Sequence, residues 1–213
     1  GAEWNSLHPS FFLHMRTNLA MEAVSVNHVL SVTRGFFRFL VRKGIFEKNP
    51  LLDIPPLKEE IVVPFIFSPE QTDQLLRALC KRMQRTKASF LKELALYIAI
   101  LLMAQCGLRI SEPLHLLKHH YRKEERTIYI EKTKFSKDRL IPIPMGVMQE
   151  MDNYLSVRAS LCPQDHNPYL LAGRGLSPLS DQKVRVFFHH AVQALGIHQP
   201  RKQLGNILFI PPT

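Results

Sequence analysis

The chain has 213 residues, 46% of them hydrophobic, enough to bury a core in one large domain or two small ones. Lys and Arg number 28 against 18 Asp and Glu, for a formal net charge of +10, which favours nucleic acid or another anionic surface as partner. Cys80, Cys106 and Cys162 are odd in number, widely spaced and without a CxxC pair, so they argue against a disulfide framework or a zinc site and read as reduced thiols of a cytosolic protein. No stretch reads as a membrane span, since the apolar run from Leu94 to Cys106 is short and suits a core helix. Nothing resembles a signal peptide, and the chain reads as a fragment at both ends.

The first predicted helix runs from Val26 to Lys43. Val29, Leu30, Phe36, Phe37, Leu40 and Val41 recur at helical spacing along it, and Gly44 stops it. Arg34, Arg38 and Arg42 follow at intervals of four and form a separate basic stripe, either a solvated face or a contact for phosphate backbone. Residues 53–67 carry Pro55, Pro56 and Pro64 and read as a proline-rich linker between a first domain (1–52) and a second (68–213). Ser68 then caps a new helix with Pro69 in its first turn. A strongly apolar helix spans Ser89 to Cys106 and ends at Gly107, and Ser111 opens the next, with Pro113 tolerated in its first turn. Two runs of β-formers, 126–134 and 138–144, flank Phe135-Ser136-Lys137 and predict a hairpin. Helices resume at about 145–161 and 180–195, the last ending at Gly196. The fold class is therefore mainly α with a small antiparallel sheet.

Arg109 comes two residues after the helix-stopping Gly107, where a side chain projects from a rigid junction, and its fork of donors suits two phosphate oxygens. Glu112 lies one turn on, placed to orient that guanidinium or a neighbouring donor. The competing reading is an Arg–Glu pair that only fixes the junction. Lys132, Lys134 and Lys137 surround the hairpin turn, either as solvated charges or as a cation that reaches the phosphate held by Arg109. A lysine so placed is a candidate general acid.

The segment Ala104-Gln105-Cys106-Gly107-Leu108-Arg109-Ile110-Ser111-Glu112, the Lys134 hairpin and Arg139-Leu140-Ile141-Pro142-Ile143-Pro144 together resemble the tyrosine recombinases, or phage integrases. Val26 to Pro50, with Lys48-Asn49-Pro50, resembles the end of that family's helical (SAM-like) core-binding domain, and Tyr169 to Ile197 resembles the middle of its catalytic domain. The resemblance implies a DNA-cutting site without metal or cofactor, in which a tyrosine attacks a backbone phosphate and forms a 3′-phosphotyrosyl link. Carried over by position, Arg109 is the first of two arginines that stabilise the transition state, Glu112 its acidic support and Lys134 the general acid, with Lys132 as nearest competitor. Arg34, Arg38, Arg42, Lys132, Lys137 and Arg139 are the expected DNA contacts, in a clamp of basic helices around the duplex.

The family also requires a histidine-x-x-arginine box and a late tyrosine. His198-Gln199-Pro200-Arg201 has the letters, but it abuts Gly196-Ile197 and places Pro200 where a helix should begin. The expectation is that the box and nucleophile lie beyond Thr213, and that Tyr97, Tyr121, Tyr129, Tyr154 and Tyr169 are packing residues. The parent is then a recombinase acting on double-stranded DNA as a homo-tetramer on paired sites, and this chain only binds DNA. The rival expectations are a non-catalytic DNA-binding regulator on the same scaffold, or a helical protein-interaction module whose charge is incidental.

Overall fold

The computed structural model describes residues 7–59, 66–84, 86–131 and 138–197. The chain divides into two compact units, Gly1–Val62 and Val63–Thr213. It is mostly helical, with a small antiparallel sheet in the second unit.

In the first unit, helix α1 (Pro9–Asn18) precedes α2 (Ala23–Arg42). Sequence periodicity missed α1, which has no capping side chain and no acid in its first turn; Pro9 at its start was the available signal. Val26, Leu30, Phe37 and Leu40 form the buried stripe of α2 and pack with Phe12, Leu51 and Ile54. The Phe37 ring meets Phe12 and Phe46 edge-on, with centroids 5.5 and 5.1 Å apart. Phe36, expected on the buried face, is half exposed. Successive helical residues are rotated by about 100°, so the neighbour of a central stripe residue points away. Helix α2 closes with Gly44 at φ 72°: the Gly44 N–H donates to Val41 O and the Ile45 N–H to Leu40 O, as in a Schellman motif.

The proline-rich segment is docked at its start. Ile54 is buried, and the Asn27 side chain both donates to Leu57 O (2.8 Å) and accepts from Leu57 N–H (2.7 Å). Residues 60–65 of the expected linker lie outside the described residues.

The second unit runs α3 (Pro69–Arg82), α4 (Lys87–Cys106), α5 (Ser111–His115), a 3₁₀ turn (Lys118–His120), β1 (Tyr121–Arg122), β2 (Thr127–Ile130), β3 (Arg139–Pro142), α6 (Met145–Leu161) and α7 (Asp181–Ala194). Ser68 caps α3 in a reciprocal box: its Oγ accepts from Gln71 N–H, and Gln71 Oε1 accepts from Ser68 N–H. Helix α4 is the axis of the core, buried continuously from Leu94 to Ala104 and packed against α3, α6 and α7. Its stretch Ser89–Cys106 is long and apolar enough to cross a membrane, which the shorter run read from sequence was not. Here, however, that stretch is mostly enclosed by its own unit, as expected of a core helix.

The strands pair antiparallel in the order β1-β2-β3, with Ile128 opposite Ile141 and Ile130 opposite Arg139. Ile128 and Ile130 are buried while Thr127 and Tyr129 are not, the period-two pattern of a half-covered sheet. Strand β1 spans two residues, too few for any periodicity to reveal.

Candidate functional site

Helix α4 ends where Gly107 enters the left-handed region, at φ 65° and ψ 29°. Glycine adopts that conformation without the Cβ clash other residues meet. Leu108 then plugs into the core at 5% exposure, and the chain emerges at Arg109. The turn is locked in both directions: Arg109 N–H donates to Glu112 Oε2 at 2.7 Å, and Glu112 N–H donates to Arg109 O at 2.8 Å. Arg109 Nη1 reaches Glu112 Oε1 at 3.2 Å, and Arg139 Nη2 on β3 reaches Glu112 Oε2 at 2.8 Å. The Glu112 side chain is 8% exposed and that of Arg109 56%. The result is a covered carboxylate between two guanidiniums, one of them largely open to solvent.

Arg109 stands at the rim of an open cleft of about 780 Å³, whose other polar walls include His115, His120, Glu131 and Tyr169. The His120 ring is buried; its Nδ1 accepts from Leu117 N–H at 3.2 Å, which leaves the proton on Nε2, 3.6 Å from Glu131 Oε1. Burial, and then the neighbouring His119, push the His120 pKa below its ordinary value against the pull of Glu131.

Tyr169 is held against this cleft by residues that sequence reasoning missed. Arg158, 3% exposed, pairs with Asp165 and donates to the carbonyls of Asn167, Tyr169 and Leu170 at 3.0, 2.8 and 2.7 Å. Burial alone would raise the Asp165 carboxyl, but the Arg158 hydrogen bond and the Asn167 N–H hold it below the usual range. The ordered loop in turn bonds the segment after α5, through Leu170 N–H to Leu116 O (2.7 Å) and Lys118 N–H to Pro168 O (3.0 Å). A signal existed: Arg158 continues the buried helical stripe Val147, Met151, Tyr154, where an arginine has to find internal partners.

Of the sequence-predicted residues, the structure brings Arg109, Glu112 and Arg139 into one cluster. Lys132, Lys134 and Lys137 lie outside the described residues, as does the segment from His198 to Thr213. The expected arginine stripe on α2 divides. Arg34 is spent within its own unit, donating to Leu51 O (3.1 Å) and Ile54 O (2.8 Å), whereas Arg38 and Arg42 are exposed. Tyr97 and Tyr154 are core residues, and the hydroxyls of Tyr121 and Tyr129 donate to Asp152 (3.1 Å) and Asp138 (2.6 Å). Burial raises the Cys106 thiol to about 11, far from nucleophilic at neutral pH. Among the described residues no three His, Cys, Asp or Glu side chains converge to hold a metal.

The fold, helices with a small antiparallel sheet, is shared with integrases of known structure. The lambda integrase dimer bound to a COC′ core site superposes with a TM-score of 0.69 at 15% identity, covering 93% of this chain and 53% of that one. The chain belongs to the phage integrase family, whose profile matches residues 66–205. It is 32% identical over 145 residues to tyrosine recombinase XerD of Brucella suis, covering 66% of this chain and 46% of that protein. It is 29% identical over 177 residues to tyrosine recombinase XerC of Alcanivorax borkumensis, covering 82% of this chain and 55% of the relative. The chain thus spans about half the length of the curated relatives it matches.

Proposed function

We propose that this chain is the DNA-holding part of a tyrosine-type site-specific recombinase, one that breaks and rejoins DNA through a 3′-phosphotyrosyl intermediate. The observation that carries the reading is Arg109, projected from the left-handed Gly107 junction, backed by an almost buried carboxylate and more than half exposed. Such a guanidinium offers a preorganised fork to a phosphodiester and to the extra negative charge of its transition state. Lys134 acts as general acid toward the departing 5′-oxygen, with Lys132 the competing choice, while Arg38, Arg42 and Lys137 contact backbone phosphates. The partner is double-stranded DNA, and the parent enzyme works as a homo-oligomer on paired sites. Energy of the broken phosphodiester is kept in the tyrosyl link, so rejoining needs no cofactor.

In this reading the chain binds DNA without cutting it. Two of the five tyrosines are in the core and two have hydroxyls committed to carboxylates, which leaves Tyr169 as the one tyrosine on the Arg109 cleft. That same occupancy favours a second reading, a non-catalytic DNA-binding regulator on the recombinase scaffold. A nicked substrate that traps covalent protein–DNA complexes distinguishes chemistry from binding. The expected result is a mobility shift with no covalent adduct. An adduct lost in Tyr169→Phe would show that this chain itself transfers a DNA strand to tyrosine with release of the 5′-hydroxyl, and absence of any shift at low salt would remove the DNA-binding reading.

A further inference from the structure

We infer that Arg139 is a positioning residue: through Glu112 it keeps the Arg109 guanidinium turned out toward its phosphate, and it does not itself touch DNA. The inference rests on the phosphate-binding reading of Arg109 above. The Glu112 carboxylate is too covered for water to satisfy it, so protein donors must do so. Three do: Arg109 N–H and Arg139 Nη2 on Oε2, at 2.7 and 2.8 Å, and Arg109 Nη1 on Oε1, at 3.2 Å. The Arg109 side chain supplies only the longest of these contacts. With Oε2 already taken, Arg109 is attached by one corner, and a parallel two-bond fork onto Glu112 is blocked.

Repulsion between the two guanidiniums acts in the same sense, driving the more exposed one outward. The β2–β3 ladder sets Arg139 directly opposite the buried Ile130, so its side chain leaves the same face of the sheet and reaches Glu112. Its Nε is buried without a partner among the described residues, so the Glu112 contact is the hydrogen bond the described structure assigns to its guanidinium. Removal of Arg139 opens one acceptor position on Oε2, which keeps its bond from Arg109 N–H, and the Arg109 guanidinium folds back to reach both carboxylate oxygens.

Two measurements on the same chain separate this proposal from the reading beneath it. Side-chain nitrogen NMR of the DNA-free protein follows rotation of the Arg109 guanidinium. Arg139→Gln is expected to slow that rotation several-fold as the fork closes, and Arg139→Lys, which still offers one donor to Oε2, to restore the wild-type rate. An unchanged rate in Arg139→Gln overturns the proposal whether or not DNA binds. The second measurement is the salt dependence of duplex binding. Arg109→Gln is expected to reduce the slope of log affinity against log salt by about 0.9, the loss of one phosphate contact. In that background a further Arg139→Gln change leaves the slope where it was. A further drop of about 0.9 would show Arg139 on a phosphate of its own and overturn the proposal. If wild-type protein shows no DNA binding, the functional reading fails while the NMR result still decides the role of Arg139.

Discussion

Glu112 and His120 show how single residues around the cleft are set by what covers them. Glu112 is a charge made tolerable by two guanidiniums, since a carboxylate withdrawn from water must be paired. His120 is the opposite case, an imidazole kept neutral because protonation would put a charge on a buried ring beside His119. Its folded pKa lies below the ordinary 6.5, so the unfolded chain takes up this proton first as pH falls. Stability from this residue is therefore complete above the unfolded value and is lost as pH drops through the interval down to the folded one. Denaturant melts at about pH 7.5 and about pH 5.5 should show the wild type weakening on acidification. His120→Asn, which keeps an acceptor for Leu117 N–H and carries no titrating ring, should weaken less. Equal losses in the two proteins would show that His120 does not titrate between the folded and unfolded states.

At the scale of elements, the loop after α6 is fixed by a buried arginine in addition to its core leucines Leu170 and Leu171. Arg158 ties three carbonyls and Asp165 together, and the loop so ordered braces the segment that follows α5. Arg158→Ala leaves those acceptors buried and unpaired, so a loss of about 3–5 kcal/mol is expected in denaturant melts. Arg158→Lys should recover only part of it, because one ammonium cannot reproduce a planar fork reaching four acceptors. A loss below about 1 kcal/mol would mean that water replaces the guanidinium and the loop is not braced. Helix α4 works differently. It is buried continuously from Leu94 to Ala104, and the buried Leu108 anchors the turn that carries Arg109.

For the whole molecule, the formal charge of +10 sets the expected behaviour toward a polyanion. Each neutralised phosphate releases counterions, so three or more contacts should cost about forty-fold or more in affinity between roughly 50 and 200 mM salt. Filter binding or anisotropy across that range tests it, and a salt-independent affinity would be incompatible with a DNA-holding surface built on arginine and lysine. The two units have separate cores, one around Phe37, Leu51 and Ile54 and the other around α4, so each unit's stability rests first on its own apolar residues.

Much of this was legible in the residues alone. Apolar spacing and the stops at Gly44, Gly107 and Gly196 placed the long helices, because caps, glycines and periodicity act over a turn or two of chain. The Ala104–Glu112 segment, the Lys134 hairpin and Arg139–Pro144 together pointed to the family that the profile match shows. Other outcomes were decided by tertiary contact: Arg34 turned inward while Arg38 and Arg42 stayed exposed, Arg158 was buried as a hub, and His120 was enclosed beside Glu131. Arg139 is the sharpest instance, since sequence placed it among the DNA contacts and the sheet register brought it to Glu112, 27 residues away in the chain. Local backbone preferences are written residue by residue. The partner a charged side chain finds depends on where distant segments are packed, and on which groups that packing removes from water.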